Sequence, residues 1–278
     1  MSGATTVEAW SGKDRGDENF PVGSLLIRRD LRAHVHAFYA FARNADDIAD
    51  SATLPAAEKI VRLDAMEDVL LGRRDTGSPS AMRLRASLAE TGVAPCHSTD
   101  LLVAFRRDAT KLRYASWDEL YDYCRYSAMP VGRHVLDLHG EDRATYEPSD
   151  ALCTALQVLN HVQDCAKDLA GLDRCYLPMD LLDRYGASVD DLRGNAETAG
   201  LRRVFDVLLD RVDALNATAV ELPRSTCSRG LRLETAVIVG LAHRLARRLR
   251  RGDPLARRVK LAKGDVFASA LVALRHLP

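Results

Sequence analysis

Two aspartate clusters, each spaced to lie along one face of a helix, stand about a hundred residues apart in this chain. The first, Asp46-Asp47-Ile48-Ala49-Asp50, closes the apolar run Phe38-Tyr39-Ala40-Phe41-Ala42. The second, Asn160-His161-Val162-Gln163-Asp164-Cys165-Ala166-Lys167-Asp168, follows Ala155-Leu156-Gln157-Val158-Leu159. Residues four apart in a helix lie nearly above one another. Asp46 and Asp50 therefore share a face, and so do Asn160, Asp164 and Asp168. Two facing helices with such ladders present hard oxygen donors of the kind that bind Mg²⁺, an ion that keeps several waters and completes its shell with phosphate oxygens. The chemistry this points to is that of a diphosphate.

A solvated acidic face is the simpler reading of either cluster alone. Carboxylates four apart on one helix repel each other, and on a helix otherwise apolar they need a compensating cation. Arg43 lies three residues before Asp46 on the same face, where its guanidinium fork suits phosphate oxygens. Gln157, three before Asn160, is placed to hydrogen-bond the same group. Arg125 and Arg133 flank Pro130, and Arg174 follows the second cluster in Asp173-Arg174-Cys175-Tyr176-Leu177-Pro178. The eight histidines form no ligand set and read as core or surface residues, His161 included because it sits off the acidic face. Nucleotide-binding glycine motifs, HExxH and GxSxG are all missing from the sequence.

These side chains need helices to position them, and helices are what the sequence spells. Apolar residues recur at intervals of three and four, with no alternating strand pattern. Helices are expected over 30–50, 56–71, 80–91, 98–113, 117–139, 149–170, 197–221, 231–251 and 264–276. Ser98, Ser116 and Ser149 are expected N-caps, and Pro130 should kink the helix that contains it. The fold class expected is all-α, a single domain over 1–278 with 1–17 as a flexible tail. At 47% hydrophobic residues, the chain is large enough to bury a substantial core.

Lys+Arg and Asp+Glu balance at 39 each, which argues against a nucleic-acid partner. Six scattered cysteines without metal spacing, and a polar acidic N-terminus, read as a reduced, cytoplasmic protein. The longest apolar stretch, Thr235 to Ala242, is too short to span a bilayer. The Arg/Lys-rich, leucine-interleaved segment from Leu241 to Lys263 reads either as a solvated helix face or as a basic amphipathic helix suited to peripheral contact with an anionic membrane surface.

The string from Phe38 to Asp50, paired with Asn160 to Asp168 and the later Tyr176-Leu177-Pro178, closely resembles the squalene/phytoene synthase family, head-to-head prenyl transferases of the all-α isoprenoid synthase fold. The resemblance covers roughly residues 17 to 275. Glu18-Asn19-Phe20-Pro21-Val22-Gly23-Ser24, Ser127-Ala128-Met129-Pro130-Val131-Gly132-Arg133 and Gln163 to Asp168 look like the bacterial hydroxysqualene synthase subfamily of hopanoid biosynthesis. Arg125 stands where phytoene-type enzymes usually carry Tyr, and Met129 where the subfamily tends to have Asn.

The resemblance implies a helical bundle around a central apolar cavity, and an isoprenoid diphosphate as substrate. It implies Mg²⁺ held by Asp46, Asp50, Asn160, Asp164 and Asp168, with the four aspartates catalytic. Arg43, Tyr39, Phe20, Arg125, Gln157, Arg174 and Tyr176 would bind substrate. Tyr39, Phe38, Phe41 and Tyr123 would offer ring faces to a carbocation. The implied reaction converts presqualene diphosphate to hydroxysqualene by ionisation, rearrangement and water capture. Its functional neighbours would be a presqualene diphosphate synthase and a squalene-forming oxidoreductase. Two alternatives stand beside it: presqualene diphosphate or phytoene synthesis from two allylic diphosphates, and a non-catalytic assembly or scaffold role.

Overall fold

The structure, a computed structural model, describes residues 6–8 and 26–276. Twelve α-helices account for most of the described residues: α1 (Arg32–Ala49), α2 (Ala56–Leu70), α3 (Pro79–Thr91), α4 (Cys96–Asp108), α5 (Trp117–Ser127), α6 (Met129–His139), α7 (Tyr146–Leu172), α8 (Met179–Arg184), α9 (Ala199–Ala219), α10 (Leu222–Ser225), α11 (Arg229–Arg251) and α12 (Lys263–Ala273). The strand-like pairing among the described residues is one parallel bridge between Arg113 and Cys175. The all-α expectation holds.

Two cores receive the apolar faces. On α1, Phe38, Phe41, Ala45 and Ile48 fall at helical spacing and bury against Leu63 and Met66 of α2, Leu84 of α3 and Leu101 of α4. Phe41 and Ile48 are fully buried, each worth roughly 1.5–3 kcal/mol relative to exposure. The same geometry turns the acidic stripe of α1 away from this core. Helix α7 runs through the second core, where Leu152, Ala155, Leu159 and Val162 meet Leu201, Phe205 and Leu208 of α9 and Leu245 of α11. Its remaining face carries the second acidic ladder. The fold thus sets two apolar-backed helices so that their polar stripes can meet.

The structure corrects several local expectations. Pro130 does not kink one long helix: α5 ends at Ser127, and α6 begins with proline in its first turn, where a missing N–H costs nothing. Ser116 caps α5 as expected, accepting from the Glu119 N–H. Ser98 and Ser149 are not caps. Helix α4 starts earlier, behind Pro95, and α7 starts at Tyr146 after a 3₁₀ turn over Arg143–Thr145 that the Asp142 side chain caps. Ser149 is instead buried against α6, where a Cβ on Gly132 would lie 2.3 Å from its Oγ. Only glycine permits that approach. The short helices α8 and α10 carry too little periodicity to be expected.

The N-terminal tail is not loose throughout. Val7 N–H donates to the Gly77 carbonyl at 2.9 Å, and the Glu8 carboxylate accepts from Ser78 Oγ and from Ser80 N–H and Oγ. Of the six cysteines, Cys96 and Cys227 are exposed. No helix among the described residues is long and apolar enough to cross a membrane. The leucines Leu241, Leu245 and Leu249 of the basic segment are buried in the core, so that stretch of α11 has no free apolar face to lay on lipid.

Candidate active site

The two ladders meet across one cleft of about 470 Å³, lined among others by Arg43, Asp46, Asp50, Gln157, Asn160, Asp164, Asp168, Arg174 and Tyr176. Nine of the proposed site residues thus come together. On the α1 side, Arg43 reaches forward along its own helix, 3.2 Å from Asp46 and 2.7 Å from the buried Asp47. Arg174 is braced more deeply. Its Nη1 is 2.5 Å from Asp50 Oδ1, while Nη2 and Nε donate to the carbonyls of Ala49 and Asp108.

Local backbone chemistry sets Arg174 in place. Helix α7 ends at Asp173, the one non-glycine positive φ (51°) among the described residues. This left-handed cap is tolerated by short polar side chains. Arg113 holds it from outside through the Asp173 carboxylate and carbonyl. The reversal throws Arg174 back onto the C-terminal end of α1.

On the α7 side, Asp164 is gripped in bidentate fashion by Arg258, both contacts at 3.0 Å. Arg258 comes from the segment after α11, which Gln163 tethers by donating to the Val259 carbonyl. Lys167 also lines the cleft.

Charge crowding marks the cleft. Burial, then the neighbouring Asp50, push the Asp46 carboxyl up to about 8 against the pull of Arg43. Burial, then Asp164, push Asp168 up to about 7 despite Lys167. Carboxylates this reluctant to ionise together favour a cation. Among the described residues no three His, Cys, Asp or Glu side chains converge as a preformed cage. That suits Mg²⁺, which takes one or two carboxylates and fills its shell with water and phosphate oxygens, better than a closed structural metal site. The donor set fits the ion.

Four further residues complete the cleft, of which the sequence marked only Tyr123, as a ring face. Asp108, at the end of α4, is buried and accepts from Tyr123 Oη at 2.7 Å and Tyr176 Oη at 2.9 Å. Burial raises its carboxyl to about 6, opposed by Arg174 and the two phenols. His161 is not a bland core residue: it stacks on Tyr176 with ring centroids 3.7 Å apart, its Nε2 lies 3.1 Å from Gln157 Nε2, and burial lowers it to about 3, so it is neutral. Tyr123 sits off α5 and Arg258 lies in a segment read only for its charge. Asp108, Tyr123 and Arg258 come from different elements, so spacing could not have joined them, whereas His161 shares α7 with the second ladder.

Beyond the cleft lies an apolar cavity of about 440 Å³ whose lining includes Phe38, Tyr39, Phe105, Leu152, Leu156 and Ile238. Arg43, Asp46, Tyr123, Gln157 and Asn160 line both spaces, so the two adjoin. Ser127, Ser149, Glu234 and Thr235 interrupt the apolar wall.

Three aromatic or basic expectations are corrected. Arg125 does not reach the cleft; its side chain is 62% exposed and faces Asp122 across 3.7 Å, because it lies two residues past Tyr123 on the opposite side of α5. Phe41 is sealed in the core rather than presented to the cavity. Arg133 is bound by Asp150 at 2.5 and 2.8 Å instead of facing the cleft. Phe20 lies outside the described residues.

An all-helical bundle in which two acidic ladders head an apolar cavity defines a class of isoprenoid-handling enzyme, and comparison with known proteins agrees. The squalene/phytoene synthase family model matches residues 13–265. The chain belongs to the squalene/phytoene synthase family of enzymes. It is 48% identical over 254 residues to the hydroxysqualene synthase of Rhodopseudomonas palustris, covering 91% of this chain and 87% of that protein. Identity to the hydroxysqualene synthase of Sinorhizobium fredii is 46% over 260 residues, 94% and 89% of the two chains. The crystal structure of the squalene synthase HpnC of Alicyclobacillus acidocaldarius superposes with a TM-score of 0.73 at 35% identity, covering 83% of this chain and 87% of that one.

Proposed function

We propose that this enzyme converts presqualene diphosphate to hydroxysqualene and diphosphate with Mg²⁺ as cofactor. The observation that carries this reading is that the carboxylate cleft adjoins the apolar cavity across shared residues, since an isoprenoid diphosphate has one anionic end and one long hydrocarbon body. The names of the relatives support the particular reaction.

In this reading Asp46, Asp50, Asn160, Asp164 and Asp168 hold Mg²⁺. The ion would supply Lewis-acid stabilisation of the departing diphosphate. Arg43, Arg174 and Arg258 donate to its oxygens, and a developing negative charge in a water-poor site gains most from fixed donors. Asp108 fixes the phenols of Tyr123 and Tyr176, and the rings of Tyr123 and Tyr39 line the cavity that would take the hydrocarbon. Cation–π contact with each is worth about 0.5–2 kcal/mol. Neutral His161 adds a ring that brings no competing positive charge. Phe38, Leu152, Leu156 and Ile238 exclude bulk water until rearrangement is complete. The water that ends the reaction needs polar partners, and Ser127, Glu234 and Thr235 supply them in the cavity wall. A presqualene diphosphate synthase would act upstream and a squalene-forming oxidoreductase downstream.

The test is product analysis in ¹⁸O-water. With presqualene diphosphate, Mg²⁺ and no nicotinamide, the expected product is an alcohol carrying one solvent-derived oxygen. An unlabelled hydrocarbon, or a strict need for NADPH, would replace this reaction with a reductive one. Turnover of farnesyl diphosphate alone to presqualene diphosphate, or of geranylgeranyl diphosphate to phytoene, would move the chain to the other branch.

A further inference from the structure

Helix α12 is built inside out. A helix packed on a protein surface normally buries its apolar stripe and shows water its polar one. Here the face against α11 is small and polar: Asp265, Ser269 and Ala273 are buried. Asp265 takes Arg248 at 2.7 Å and Arg244 at 3.8 Å, and Ser269 Oγ accepts from Arg244 Nε at 3.2 Å. Gly240 lets the helices touch, since a Cβ there would sit 3.0 Å from Ser269 Cβ. The outward face carries Val266, Phe267, Leu271, Val272 and Leu274, from 46% exposed at Val272 to 73% at Phe267. Val266, Phe267, Ala270, Leu271 and Leu274 form one continuous stripe. Contiguous apolar surface of this kind marks an interaction site.

The surroundings say what covers it. Between Leu241 and His276 stand ten Arg and Lys residues against two Asp, in a chain whose charges otherwise balance. Arg247, Arg251, Lys260, Lys263 and Arg275 are all exposed. A recess beside Val272 is lined by His243, Arg244, Arg247 and Ser269, with Asp213 as its acidic member; Asp213 is itself paired with Arg250 at 2.6 Å. A second copy docked through the same face would set two basic clusters against each other.

We infer that α12 docks this protein on the surface of an anionic bilayer, with Phe267, Leu271 and Leu274 at the headgroup–acyl boundary and the arginines of α11 against lipid phosphates. The combination is that of an interfacial amphipathic helix, except that a folded domain holds it by its polar side. The inference stands apart from the reaction proposed above, because no α12 residue lines the cleft or the cavity.

The full chain is sedimented with vesicles of phosphatidylcholine alone and with about a third phosphatidylglycerol. Binding is expected to be about tenfold stronger to the anionic vesicles and to weaken in high salt. Phe267→Ser with Leu271→Ser, and separately Arg247→Glu with Arg251→Glu, should each lower that binding about tenfold. Melting temperature and turnover of detergent-dispersed substrate should not change, because these side chains make no core contact. Equal binding by wild type and the Phe267/Leu271 variant would overturn the inference, as would equal binding to both vesicle types. So would a dimer in sedimentation velocity that the Phe267/Leu271 variant dissolves, which would make a second copy the occupant.

Discussion

The acidic ladder of α1 and that of α7 face the same cleft but are held in different ways. On α1, Asp50 is locked to a guanidinium that is itself 5% exposed and bonded to two backbone carbonyls. Removing its charge leaves a buried arginine short of its partner. On α7, Asp164 is held by the exposed Arg258, and Asp168 is crowded only by its neighbours. The first ladder is therefore part of the architecture as well as the chemistry. The aspartates of the second are anchored to no buried partner among the described residues.

Asp50→Asn should break this contrast most visibly. Turnover is expected to fall about a thousandfold, as for loss of a fixed charge-stabilising group. Stability should fall by about 2 kcal/mol, less than for a fully buried pair because Asp50 is itself part-exposed. Steady-state kinetics and a urea melt read the two effects. Asp164→Asn and Asp168→Asn should match the kinetic loss, at about a hundredfold or more, with an unchanged melt. A stability loss equal to that of Asp50→Asn would erase the distinction.

Metal removal gives a pH test. Asp46 and Asp168 titrate in the folded protein at about 8 and about 7, against an ordinary 3.8. Between these limits the folded state holds protons that the unfolded chain has released. Their contribution is complete below the ordinary value and is lost as pH rises toward 8. In EDTA, the melting temperature should drop between pH 5 and 8 by a few degrees (about 2–4 °C) more in wild type than in Asp46→Asn/Asp168→Asn. The effect is kept modest by the exposure of Asp46 to the cleft. Mg²⁺ should flatten the slope, and identical slopes would mean the carboxylates are not crowded.

Two smaller effects sharpen the picture. Arg258 competes with a cation for Asp164, so Arg258→Ala should tighten Mg²⁺ binding about threefold in calorimetry, a difference within 1 kcal/mol. Arg125→Ala should leave kcat/KM within about twofold, as for an exposed charge. A large kinetic loss there would contradict its placement on the outer face of α5.

The sequence disclosed what depends on spacing within one element. Each acidic ladder, Arg43 and Gln157 lie on single helices, so a 100° rotation per residue was enough to align them. Arg174 could be named but not explained, because its role depends on the left-handed turn at Asp173. Asp108, Tyr123 and Arg258 reach the cleft from separate elements brought together only by packing, while His161 lies within the second ladder's own helix but off its acidic face. Arg125 misled because its position was judged by similarity of local string, whereas two residues along a helix reverse the direction of a side chain. The inverted face of α12 was hidden for another reason. Its composition is apolar nearly all round, and only the packing of Asp265 and Ser269 against α11 reveals which side is inward.

The central claim is that cleft and cavity form one site, with diphosphate between the ladders and hydrocarbon beyond Tyr123. A crystal structure with Mg²⁺ and a thio-substituted, non-ionising farnesyl diphosphate tests it directly. The account predicts density for the diphosphate bounded by Asp46, Asp50, Asn160, Asp164 and Asp168, with the prenyl chain running past Tyr39 and Leu156 toward Ile238. Diphosphate bound elsewhere, or a prenyl chain lying outside the apolar cavity, would contradict it.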